Sequence, residues 1–166
     1  MPYRVRAATL DDLDVLVRHR VAMFRDMGVA LDASDLERAF MDWLRRTMPE
    51  GTYRAWVVEH VEGADTAGTV VAGGGATILP WPPGPRYPGD TLAFVYNVYT
   101  EPSHRRQGLA RLIMDAIHAW CRAHGVTSLA LNSSRDGLAL YEQLGYVQSP
   151  SPMMFFSLVD EDAPRA

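Results

Sequence analysis

The sequence predicts an α/β fold, a mixed sheet of about seven strands flanked by four helices in the order β-α-α-β-β-β-α-β-α-β-β. Three observations carry this. Strand-like runs at residues 53–62, 69–79 and 91–100 follow one another with only a turn and a loop between them, the pattern of antiparallel neighbours. A long amphipathic run then separates residues 91–100 from the next strand-like run, 128–134, which makes one β-α-β crossover. The chain's 166 residues, 48% apolar and 22% charged, suffice for one domain with its own core.

The elements can be justified in order. YRVRAA at residues 3–8 alternates and reads as a strand. Leu10, Leu13, Leu16, Val17, Val21 and Phe24 then recur at helical spacing, with Thr9 as N-cap, acids in the first turn and Gly28 as the stop. Ser34 and Glu37 form a capping-box pattern for a second helix that ends before Pro49. Residues 53–62 and 69–79 read as a hairpin around a turn at 63–68. Gly73, Gly74 and Gly75 lie inside a strand, so they mark a bulge or a close backbone approach rather than a phosphate loop. The five prolines of residues 80–90 make a stiff surface loop, and its Trp81 and Tyr87 are candidates for a substrate rim. After the strand 91–100, a helix runs to His124 and closes at Gly125. Residues 128–134 are a strand and 137–145 a short helix. YVQS (146–149) and MMFFSLV (153–159) read as the last two strands. Residues 1–159 form the single domain, and 160–166 is an acidic tail expected to be disordered.

Composition removes several functions. The formal net charge of −4 argues against nucleic-acid binding and suits a cationic small partner. All 16 basic residues are Arg, so lysine Schiff bases and P-loop lysines are excluded. Cys121 is the lone cysteine, which excludes an internal disulfide, and it falls on an apolar helix stripe. No secretory signal follows Met1 and no apolar run has membrane length, so the expected setting is the cytoplasm, with no membrane partner.

The segment SHRRQGLARLI (103–113) carries the chemistry. Arg105 and Arg106 at a helix head oppose the positive end of the helix dipole, which makes sense if an anion sits there. Gly108 and Ala110 leave the backbone open to close approach. A solvated basic turn is the plainer alternative. The spacing of a P-loop is missing, and so are the first two glycines of a dinucleotide fingerprint. What matches is [Q/R]-x-x-G-x-[G/A] after a strand, in NVYTEPSHRRQGLARLI, with Arg105, Gly108 and Ala110 at the marked places. Here the chain resembles the GNAT superfamily of acyl-CoA-dependent N-acyltransferases. A second stretch, LNSSRDGLALYEQLGY, is similar to that family's later strand, loop and helix. The element order resembles the family's from Tyr3 to about Val159.

The resemblance implies a GNAT-like sheet and acetyl-CoA as co-substrate. It implies that the pyrophosphate rests on the turn Arg106, Gln107, Gly108, Leu109, Ala110 and Arg111, opened by Arg105. Val98, Tyr99 and Thr100 would lend backbone groups to the pantetheine arm. Asn132, Ser133 and Ser134, equally readable as an ordinary turn, would lie near the cofactor. Tyr141 is implied as the general acid that protonates the departing thiolate, and a core aromatic role is compatible with that. The central strand lacks the carboxylate some members carry, so Glu59 is the best candidate base, with Asp90, Glu101, His104 and a water chain behind it. Phe24, Met27 and Asp32 are candidates for the acceptor site. The partners would be acetyl-CoA and an amine acceptor. Pairing is common in the family, so a homodimer is an expectation, although no stretch marks its interface. The rival reading is a non-catalytic acyl-CoA-binding sensor or interaction module.

Overall fold

The computed structural model describes residues 2–61 and 68–158. Most of the expected turn at 63–68, residue 159 and the acidic tail at 160–166 lie outside the described residues. The elements run β1 (Tyr3–Ala7), α1 (Leu13–Asp26), α2 (Ala33–Glu50), β2 (Tyr53–His60), β3 (Thr69–Pro80), β4 (Thr91–Thr100), α3 (Leu109–Ala123), β5 (Ser128–Leu131) and α4 (Leu138–Gln143). The sheet order is β1-β2-β3-β4-β5, antiparallel throughout except for the parallel pair β4–β5 that α3 connects.

The described residues form five strands, not the expected seven. Residues 146–149 and 153–158 join no strand, and among the described residues nothing pairs with the far edge of β5. A high β propensity makes a segment able to be a strand, but it becomes one only where its backbone pairs with a neighbour, and these residues pair with none. No helix among the described residues is long and apolar enough to cross a membrane.

Helix boundaries follow their caps. Thr9 Oγ1 accepts the Asp11 N–H at 3.2 Å while the Thr9 N–H donates to Asp12 at 2.8 Å, a reciprocal box that starts a short 3-10 turn leading into α1. For α2 the cap is Asp32, which accepts the Asp35 N–H at 3.0 Å and leaves Ser34 inside the helix. The helix runs past Pro49 to Glu50, and Gly51 closes it in the left-handed conformation.

Both sheet faces are covered, which is why β2 is buried along most of its length rather than on alternate residues. On one face α3 presents Ile113, Met114, Ile117 and Cys121 to Trp56, Val58 and Val95. On the other, α1 and α2 bury Leu16, Val17, Phe40 and Leu44 against Tyr53 and Val57. Burial also pushes the Cys121 thiol up, which leaves it inert.

The glycine triplet in β3 lets neighbours come close. A Cβ on Gly74 would stand 2.9 Å from Ile113 of α3, and one on Gly75 would stand 2.4 Å from the Tyr53 hydroxyl and 2.5 Å from the Arg54 carbonyl. Gly75→Ala is therefore expected to lower unfolding stability by roughly 2–3 kcal/mol in urea titrations, because a backbone atom must move. A loss below about 0.5 kcal/mol would show that the strand yields without cost.

Candidate active site

β4 and β5 are paired only from Leu92–Ser128 to Val95–Leu131. Past Val95, β4 continues to Thr100 with no strand beside it on that side among the described residues. The next residues of β4 are irregular against β3. Tyr96 pairs with Gly75 and Tyr99 with Gly73, so Asn97 and Val98 together face Gly74 alone. This is a β-bulge on β4, and Asn97 takes it up at a left-handed φ of 61° that Asn adopts more readily than most residues. A bulge bends its strand, and this one falls just past the last β4–β5 pair, Val95–Leu131, where β5 also ends. Val98, Tyr99 and Thr100 follow on β4, and Asn132, Ser133 and Ser134 follow the end of β5.

The bulge is anchored from the α1 side. Asn97 Nδ2 donates to the Tyr53 hydroxyl at 3.3 Å, and Asn97 Oδ1 accepts from Arg20 Nη1. The Arg20 guanidinium lies between the Phe24 and Phe40 rings, 4.9 and 4.7 Å from their centroids. Burial pushes the Tyr53 phenol up to about 12, so it stays neutral. Sequence reasoning missed this group. The available signal was an Asn in the middle of a run of β-formers.

The turn expected to cradle an anion follows the end of β4, and its layout differs from expectation. The helix begins at Leu109, after a 3-10 turn at Pro102–His104, so Arg105 and Arg106 lie in a loop and not in a first helical turn. Arg106 and Gly108 are both left-handed, with φ of 62° and 81°. Such changes of hand curl a loop so that successive N–H groups point into one concavity. The N–H groups of Leu109, Ala110 and Arg111 precede the first helical hydrogen bond, Leu112 N–H to the Gly108 carbonyl at 3.1 Å, and lack intrahelical acceptors. A Cβ on Gly108 would meet nothing within 4 Å, so the concavity is open to a ligand.

Arg105 is a clamp. Its Nε donates to the Thr100 carbonyl at 3.0 Å, its Nη2 pairs with Asp26 at the end of α1, and it lies 5.6 Å from the Tyr99 ring centroid. Gln107 accepts from the Tyr3 hydroxyl at 2.8 Å, and the same hydroxyl is 2.9 Å from His104 Nδ1. With one phenolic proton going to Gln107, His104 must supply its own Nδ1–H to that bond. Arg111 Nη2 donates to Gln143 at 2.9 Å and so ties the start of α3 to α4. Ser134 Oγ accepts the Gly137 N–H at 3.2 Å, a local turn contact at the entry to α4, while Asn132 is exposed.

Tyr141, on α4, packs in the α3-face core with its ring edge-on to Tyr146 at 5.8 Å. A Cβ on Gly137 would stand 2.9 Å from Tyr141 Cε2, so glycine there sets the ring's position. Burial raises the phenol above its ordinary pKa, so it carries its proton at neutral pH.

Glu59 does not fit the role of base. The register sets it opposite Arg4, whose Nη2 reaches Oε2 at 2.7 Å, and Arg6 Nε reaches Oε1 at 2.6 Å. Arg6 also forks onto Asp12 at 2.7 and 2.8 Å. Hydrogen bonds from Arg4 and then Arg6 hold the Glu59 carboxyl below its usual range, and an anion so stabilised is a poor proton acceptor. Of the other candidates, Glu101 contacts His19 Nε2 at 3.0 Å and Arg18 at 3.3 Å, and Asp90 is exposed on the loop. Glu59→Gln is thus expected to cost stability, roughly 1–2 kcal/mol at pH 7, while kcat stays within about threefold of the parent. Because the folded-state pKa is depressed, this stability is present above the ordinary carboxylate pKa and is lost as pH falls through the folded value. Parent and variant should therefore converge in acid. A tenfold fall in kcat at unchanged stability would restore Glu59 as base.

A sequence model of the Acetyltransferase (GNAT) family matches residues 22–146. A GCN5-related N-acetyltransferase from Ralstonia eutropha superposes with a TM-score of 0.79 at 32% identity, over 93% of this chain and 98% of that one. A predicted acetyltransferase from Clostridium acetobutylicum, solved with acetyl-CoA, gives 0.80 at 18% identity over 93% and 96% of the two chains. Glucosamine-6-phosphate N-acetyltransferase from Arabidopsis thaliana gives 0.63 at 15% identity over 94% and 99%. No curated protein matches the chain.

Proposed function

The chain belongs to the GNAT acetyltransferase family, and from that premise we propose that it moves an acetyl group from acetyl-CoA to a primary amine of a small molecule or peptide. The observation that carries this reading is the end of the β4–β5 pairing at Val95 and Leu131, followed along the chain by N–H groups without intrahelical acceptors at the head of α3. Gly108, Leu109, Ala110 and Arg111 would hold the pyrophosphate through their N–H groups. Val98, Tyr99 and Thr100 would offer backbone groups to the pantetheine arm as a neighbouring strand would.

In the reaction the amine nitrogen attacks the thioester carbonyl and an oxyanion forms, which a backbone N–H near the bulge would stabilise. The C–S bond breaks, the sulfur leaves with the electron pair, and the Tyr141 phenol supplies its proton. We assign no side chain as base. The carboxylates of Glu59 and Glu101 are engaged by cations, so the neutral fraction of the amine reacts and its proton passes to solvent. It follows that log kcat/KM should rise with unit slope up to the acceptor amine's own pKa. A plateau from about pH 6 would instead require an enzyme base.

Release of CoA thiol across a panel of amines tests the assignment. Turnover with any primary amine supports it. Tight CoA binding with no turnover across the panel would favour the sensor reading.

A further inference from the structure

Arg20 carries a charge that no carboxylate balances. Arg4, Arg6, Arg18, Arg38, Arg45 and Arg105 each pair with a carboxylate, and Arg20 pairs with none among the described residues. Its partner, through Nη1, is the neutral amide oxygen of Asn97. Its Nε is buried without an acceptor, and its Nη2 makes no bond among the described residues. The Phe24 and Phe40 rings flank the guanidinium and keep water from those sides. Desolvation pulls the guanidinium below the usual arginine pKa. Its neighbours Tyr53 and Tyr96 are phenols that burial pushes up, so they stay neutral and supply no counter-charge. Holding a half-buried cation without an anion costs the fold stability, and fixing Asn97 needs only an uncharged N–H.

The place of this charge gives it a use. Asn97 is the bulge residue and precedes Val98, near which the proposed reaction sets the oxyanion. The cation therefore stands one side chain away from the backbone that the attacking amine approaches. Arg20, Phe24, Trp43 and Tyr96 are all half-buried, so the cluster meets solvent. A guanidinium edge matches a carboxylate through two parallel N–H bonds. No second cation adjoins Arg20, which suits a single negative charge better than a phosphate dianion. We propose that Arg20 seats a carboxylate of the acceptor, so that the amine acetylated by this chain belongs to an amino carboxylate, such as an amino acid. The proposal rests on the acetyl-transfer reading and names the acceptor class within it. The rings of Phe24, Phe40 and Trp43, the last two stacked at 5.6 Å, offer a surface to the apolar part of such a substrate. The chain's net charge of −4 does not oppose this, because the local charge at the bulge is positive.

The test compares acceptors matched except for the carboxylate: leucine with 3-methylbutylamine, phenylalanine with 2-phenylethylamine, and 4-aminobutyrate with propylamine. The parent should favour the carboxylate member of at least one pair by about thirtyfold or more in kcat/KM. In Arg20→Gln, which removes the charge and keeps an N–H donor, that ratio should fall at least about tenfold, a comparison in which the amines' own basicities cancel. Arg20→Lys should retain part of the preference, since it keeps the charge and loses the fork. A purely structural Arg20 would lower both members of a pair alike and leave the ratio unchanged, which overturns the proposal. Equal rates within every pair in the parent overturn it too, as does a preference for 2-aminoethyl phosphate over every carboxylate. Calorimetry on the parent with CoA bound reads the same pairs without turnover and without a variant, and equal affinities within every pair there are equally fatal. If no amine is acetylated but the carboxylate member alone binds, the Arg20 seat stands and the transfer reading falls.

Discussion

Tyr141→Phe is expected to lower kcat by about a hundredfold or more, in the range of a lost general acid, with the CoA dissociation constant unchanged. The substitution is a clean one because of where the ring sits. Its packing against Tyr146 and the α3-face core survives in Phe. No hydrogen bond of the Tyr141 hydroxyl is present among the described residues, so little stability is lost with it. The melting temperature should stay within about 1–2 °C of the parent. The raised pKa means the proton is on the phenol throughout the neutral range, so the parent's kcat should not fall on the alkaline side until pH passes 10. The matched cost is that a phenol above 10 gives its proton uphill to a thiolate near 8.5, about 1.4 kcal/mol per unit, which the buried site must offset by position. Unchanged kcat in a folded Tyr141→Phe protein would remove the residue from the chemistry and leave it a core aromatic.

What was legible in the sequence divides by range. The element order through α4 follows from periods and caps that act over a few residues, such as the reciprocal contacts of Thr9 and Asp12. The glycine triplet was legible as a bulge or close approach because the residues have no other use inside a strand. Pairings across the chain were not legible. Glu59 reads as a spare carboxylate until the β1–β2 register sets Arg4 and Arg6 beside it. Arg105 reads as phosphate-binding charge until Asp26, at the end of α1, meets it. The last two strands failed for the same reason. MMFFSLV has the right composition, but composition does not say which edge, if any, it pairs with.

Gly108→Val is expected to raise the CoA dissociation constant well over tenfold, more than about 1.4 kcal/mol. Two terms contribute, and they can be separated. The first is backbone strain. Gly108 has a φ of 81°, where an L-residue costs about 1–2 kcal/mol and a β-branched one is worst placed. The second is occupation of the cradle. Since a Cβ there meets nothing of the protein within 4 Å, any steric conflict of the added side chain is with the ligand. Gly125 supplies the control. It lies at the other end of α3 with a φ of 71° and also has nothing within 4 Å of a Cβ. Gly125→Val carries the same kind of strain without touching the N–H groups of Leu109, Ala110 and Arg111. Both variants should lose similar stability in urea, and only Gly108→Val should lose CoA in calorimetry. Equal losses of affinity in the two would mean that strain transmitted through α3, and not the pyrophosphate seat, explains the effect. An unaffected Gly108→Val would move the seat away from this turn altogether, and with it the direction in which the pantetheine arm must approach β4.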